Sequence, residues 1–77
     1  MKGKNAIVTG GSGGVGGVLV RRFVEEGVNV LATVTKESDG LVRGAIPMRV
    51  DVTSEKDVEA LFARAMREFG SVDIMVN

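Results

Sequence analysis

Apolar and polar positions alternate in blocks along this chain, and the blocks change period. Asn5 to Thr9 has a continuous apolar centre, Ala6-Ile7-Val8, which suits a strand buried on both faces. A glycine-rich stretch, Thr9 to Gly17, follows. From there the pattern becomes helical: Val15, Val18, Leu19, Phe23 and Val24 are expected near one face, with Arg21, Arg22, Glu25 and Glu26 on the wet side. Gly27 stands where a helix C-terminal glycine belongs. Val28 to Val34 is β-branched and reads as a second strand. Thr35 to Ala45 is polar, with Gly40 and Gly44, and reads as a loop or one short helical turn.

Pro47 to Val52 is the third strand expected; proline can begin a strand but cannot donate within its ladder. Ser54 then reads as an N-cap, with Asp57 three residues on in a position resembling a capping box. Val58, Leu61, Phe62, Ala65, Met66 and Phe69 recur at helical spacing, and Gly70 closes the helix. That stripe is core rather than a cofactor box. Val72 to Val76 is a fourth strand, followed by Asn77. Strands alternating with helices predict βαβ units, an α/β fold and a parallel sheet with right-handed crossovers.

Composition narrows the chemistry. The chain has 77 residues, which allows one domain at most, of marginal stability. It has neither cysteine nor histidine, which removes disulfides, thiolate nucleophiles and the commonest metal ligand. Ten basic residues balance ten acidic ones, so there is no electrostatic footprint for nucleic acid. No apolar run approaches the length of a membrane span, and no signal-peptide pattern opens the chain. The expectation is a soluble, cytoplasmic protein with neither a nucleic-acid nor a membrane partner.

The glycine stretch carries the chemistry. A strand, a glycine turn and a helix together hold phosphate, because the first helical N–H groups lack intrahelical partners and face the ligand at the positive end of the macrodipole. Two registers fit: Gly11-x-Gly13-x-x-Gly16 and Thr9-Gly10-x-x-x-Gly14-x-Gly16. A flexible turn or a tight hairpin would account for the glycines alone, but the strand before and the helix after favour phosphate.

Three features occur in order: Thr9-Gly10-x-x-x-Gly14-x-Gly16, Asp51-Val52, and Val72-Asp73-Ile74-Met75-Val76-Asn77. Together they resemble the N-terminal half of a short-chain dehydrogenase/reductase, of the 3-oxoacyl-acyl-carrier-protein reductase flavour. The resemblance covers residues 1–77 and implies a partial Rossmann-like parallel sheet of strand order 3-2-1-4. By position it implies that Gly10, Ser12, Gly13, Gly14, Val15 and Gly16 surround a pyrophosphate. It further implies that Asp51 accepts from the adenine amino group beside Val52, and that Asn77 flanks the adenosine ribose. Asp51 also fits a strand-end turn or a helix-capping role, and Asn77 a frayed terminus.

Cofactor choice falls on the end of the second strand. Enzymes using NAD usually place a carboxylate about 20 residues beyond the glycines; the matching position here is Val34, followed by Thr35 and Lys36. This favours NADP, with Thr35 and Lys36 as contacts, and NAD as the other possibility. Gly13 stands where many NADP-dependent members carry a cation, and Glu37 and Asp39 are near enough to serve NAD.

The family's chemistry is hydride transfer between the nicotinamide and a carbonyl or alcohol, with Tyr, Lys and Ser as the catalytic groups. This chain contains no tyrosine. It is therefore expected to bind cofactor without supplying a catalytic residue or a metal site. It would act as part of a longer oxidoreductase; the alternative is a free-standing or engineered half-Rossmann nucleotide-binding module. The Val72–Val76 edge predicts self-association, or cover by the remainder of a longer chain.

Overall fold

A computed structural model describes residues 2–10, 14–34 and 43–76. In chain order the elements are β1 (Asn5–Val8), α1 (Gly14–Glu25), β2 (Asn29–Val34), β3 (Ala45–Arg49), α2 (Glu55–Phe69) and β4 (Ile74–Val76). The strands form one parallel sheet in the order β3-β2-β1-β4, as expected.

The alternation of side chains along β1 explains the layering. Ala6 and Val8 pack with Val20, Phe23, Val30 and Ala32 on the α1 side. Ile7 points the other way and packs with Leu31, Val50, Leu61 and Ala65 on the α2 side. All four residues of β1 are buried, so an apolar run without polar alternation is the pattern this central strand requires. Full burial of side chains such as Ile7, Leu31 and Leu61 contributes about 1.5–3 kcal/mol each.

Several expected boundaries and faces shift. β1 ends at Val8 rather than Thr9, although the Thr9 N–H still completes the ladder with a bond to the Val76 carbonyl. In α1 the buried positions are Val20 and Phe23, flanked by Leu19 and Val24, whereas Val18 is 70% exposed. Five residues of helix rotate by about 140° net, so Val18 faces away from Phe23. β3 runs Ala45–Arg49, not Pro47–Val52. Pro47 sits opposite Ala32 in mid-strand, and it is tolerated there because β3 is an edge of the described sheet. β4 begins at Ile74, two residues later than expected.

The helix termini follow local chemistry. The Ser54 hydroxyl accepts from the Asp57 N–H at 3.3 Å, and Gly70 closes α2 at φ 81° with its N–H on the Met66 carbonyl. The reciprocal half of the capping box is diverted. The Asp57 carboxylate takes the Asp51 N–H at 2.8 Å, while the Ser54 N–H goes to the Asp51 carbonyl. Aspartate is one methylene shorter than the usual glutamate. On α2 the Leu61 and Ala65 row is buried, but Phe62 and Met66 are 40% and 52% exposed, so the expected stripe is core on one flank only. Among the described residues no helix is long and apolar enough to cross a membrane.

Candidate functional site

The strand order reverses at β1: the chain moves outward to β2 and β3, then returns to β4 on the other side. In open parallel sheets the crevice outside the carboxyl ends at such a point receives ligands. The residues gathered there are Thr9 and Gly10 after β1, Val34 at the end of β2, Arg49 at the end of β3 with Val50 to Val52 after it, and Val76 at the end of β4.

The turn after β1 is tied to both neighbours. The Thr9 N–H and hydroxyl both donate to the Val76 carbonyl, at 2.8 and 3.2 Å. The Gly10 N–H donates to the Thr33 hydroxyl at 2.8 Å. Gly10 has φ +70°, a conformation that a side chain disfavours, and a Cβ placed there would meet no atom within 4 Å. Among the described residues, nothing fills the space that a side chain would take at Gly10.

From this turn the chain enters α1 at Gly14, with Val15 and Gly16 completing the first turn. That turn carries no acidic residue, and its N–H groups have no intrahelical acceptors. A turn leading to a helix N-terminus without acidic residues in its first turn fits a diphosphate.

Thr33 is the residue that reading the sequence missed. It lies at 3% exposure inside an otherwise apolar strand. A buried hydroxyl requires a partner, and a polar residue within Leu31-Ala32-Thr33-Val34 was the available signal.

Asp51 and Val52 occupy the connection from β3 to α2, where Val52 is 60% exposed. The Asp51 carboxylate accepts from the Thr53 hydroxyl at 2.6 Å and from the Thr53 N–H at 2.9 Å. These bonds, the hydroxyl first, hold its carboxyl below the usual aspartate range, so at neutral pH it is an acceptor only. The strand-end turn expected as an alternative role for Asp51 is thus present, and it leaves the carboxylate on the surface. Asp51 and Val52 line a cleft of about 530 Å³ together with Arg49, Val50 and Asp57.

The structure thus brings Gly10, Gly14, Val15, Gly16, Asp51 and Val52 to one end of the sheet. Ser12, Gly13, Thr35, Lys36 and Asn77 lie outside the described residues.

Comparison with known proteins points the same way. A family model described as short chain dehydrogenase matches residues 4–77. The chain is 41% identical to 3beta-hydroxysteroid dehydrogenase 1 of Eggerthella lenta, over all of this chain and 33% of that protein. It is 37% identical to a 3-oxoacyl-acyl-carrier-protein reductase of Vibrio cholerae, over all of this chain and 34% of the relative. A crystal structure of 3-ketoacyl-(acyl-carrier-protein) reductase from Brucella melitensis complexed with NADH superposes with a TM-score of 0.87 at 30% identity. That superposition covers 96% of this chain and 33% of the other. The chain spans about a third of the length of these relatives.

Proposed function

The chain belongs to the short-chain dehydrogenase family, and from that premise we propose that residues 1–77 form the cofactor-binding part of an oxidoreductase that transfers hydride between NADP(H) and a carbonyl or alcohol. The observation that carries the reading is the open Gly10 turn feeding an α1 N-terminus without acidic residues. The main-chain amides of Gly10, Ser12, Gly13, Gly14, Val15 and Gly16 would hold the pyrophosphate. Asp51 would accept from the adenine amino group and Val52 would flank the ring. Asn77 would lie beside the ribose. The bound dinucleotide would supply the hydride.

NADP is favoured over NAD because the end of β2 presents the buried Val34, which offers no carboxylate to repel a 2′-phosphate. Thr35 and Lys36 would add a hydroxyl and a cation. Without tyrosine, the chain's own task is to bind and orient the dinucleotide, and proton transfer falls to groups outside these residues. Relatives named for a steroid and for an acyl-carrier substrate match this segment at 41% and 37% identity. Such parity is what a cofactor-holding segment predicts. The proposed setting is the cytoplasm, where the dinucleotides are found. The outer side of β4 would be paired by a second copy or by the rest of a longer chain; mass and size-exclusion measurements distinguish these.

Titration with NADPH, followed by cofactor fluorescence, tests the reading. Saturable binding supports it, and an unchanged signal at millimolar cofactor removes it for this chain.

A further inference from the structure

Resting on the dinucleotide reading above, we propose that Arg49 is a further residue that recognises the 2′-phosphate of NADP. Parallel pairing places Arg49 opposite Val34, so the two share a face at the carboxyl edge of the sheet. Arg49 is also the wall common to two clefts. One, of about 470 Å³, is lined by Val34, Pro47, Met48, Arg49 and Arg64. The other, of about 530 Å³, is lined by Arg49, Val50, Asp51, Val52 and Asp57.

The two clefts differ in charge. Among the described residues, guanidinium groups are the only charged groups lining the first, whereas two carboxylates line the second. An adenosine with its amino group toward Asp51 and its 2′-phosphate toward Val34 matches that polarity. Arg64 is the less suited of the two cations, because its Nε already donates to the Glu68 carboxylate at 3.2 Å. Arg49 is exposed and projects from an edge strand, and its planar fork can donate two parallel bonds to phosphate oxygens. Val34 permits the phosphate by being neutral, and Arg49 attracts it.

The test compares NADPH and NADH affinities of the 77-residue chain with those of R49Q, R49K and R64Q, with circular dichroism confirming the fold of each. R49Q should weaken NADPH about tenfold, the scale of one lost charge-assisted contact, and change NADH by less than about twofold. R49K should recover part of the loss, and R64Q should fall well short of R49Q. Equal effects of R49Q on both cofactors, no effect on either, or a larger NADPH-specific loss in R64Q would overturn the role of Arg49 while leaving dinucleotide binding intact. An unsubstituted chain that binds neither cofactor would overturn both readings.

Discussion

The two ends of this sheet use polar groups in opposite ways. At the amino end, side chains close on one another. The Asn5 amide donates to the Ser71 hydroxyl at 3.0 Å and accepts from the Asn29 amide at 2.8 Å. The Asp73 carboxylate accepts the Asn5 N–H at 2.9 Å, and the Asp73 N–H returns to the Asn5 carbonyl. This cluster ties the starts of β1, β2 and β4 together. At the carboxyl end the side-chain bonds instead brace a turn, through Thr9 and Thr33, and leave the α1 N-terminus without an acidic cap. One end spends its donors on the fold; the other carries the helix amides that the proposed dinucleotide would use. Stability and binding should therefore respond to different substitutions.

The largest effect is expected from Gly14→Val. A side chain at the first residue of α1 would stand in the path of the phosphates, while its helical backbone tolerates valine at modest cost. NADPH affinity should fall about a hundredfold or more, with the circular dichroism spectrum retained. A folded variant of unchanged affinity would place the phosphates elsewhere.

Next comes Asn5→Ala at the opposite end. Asn5 is 7% exposed and makes two side-chain bonds, so the variant loses both at once, although the exposed Asn29 and Ser71 can turn to water. Urea denaturation should show a loss of about 2 kcal/mol, a large share of the stability of so small a domain. Affinity per folded molecule should be unaltered. A proportionate loss of affinity would mean that the two ends are coupled and that the contrast between them is false.

The same contrast explains what could be read from residues alone. The parallel βαβ alternation and a first strand buried on both faces were legible, because Ala6-Ile7-Val8 admits no solvent-facing position and the helical periods of α1 and α2 separate the strands, whereas the strand order came from the family resemblance. Ser54, Gly27 and Gly70 were legible because capping is decided within a turn or two of chain. The polar partners were not. Asn5 meets Asp73 across 68 residues and Gly10 meets Thr33 across 23, and no local pattern states such pairings. The span of β3 was misjudged because Pro47 is forbidden or harmless depending only on whether its strand lies at an edge. In the proposed site, the glycine turn was marked by residue type and Asp51 by the family resemblance, whereas Arg49 gains meaning only from its register with Val34.

A smaller effect should come from Thr33→Val, which keeps the shape but removes the acceptor of the Gly10 N–H. Gly10 is exposed, so water can replace the bond, and the stability loss should stay near ~1 kcal/mol. The turn, however, loses its brace against β2, and NADPH affinity should fall by about threefold to tenfold. The ratio of binding loss to stability loss is thus the reverse of that for Asn5→Ala. Equal ratios in the two variants, measured by urea midpoints and cofactor titration, would remove Thr33 from the site.

The smallest effect concerns Asp51, which lies on the surface of the ligand end and yet satisfies itself locally. Its carboxyl titrates below the usual aspartate range, first because of the Thr53 hydroxyl and second because of the Thr53 N–H. A carboxylate whose folded pKa is depressed adds stability above its unfolded pKa, and that contribution disappears as pH falls through the folded value. The affected window therefore lies below about pH 4, and no change is expected between pH 5 and 8. Full solvent exposure keeps the contribution small. Carboxyl-detected NMR should place the Asp51 midpoint under that of an unstructured aspartate. Thr53→Val should raise it by removing the larger cause while leaving the backbone donor in place. A midpoint indifferent to Thr53→Val would mean that the 2.6 Å hydroxyl bond does not persist in solution. The carboxylate offered to an adenine amino group would then be oriented by the main chain alone.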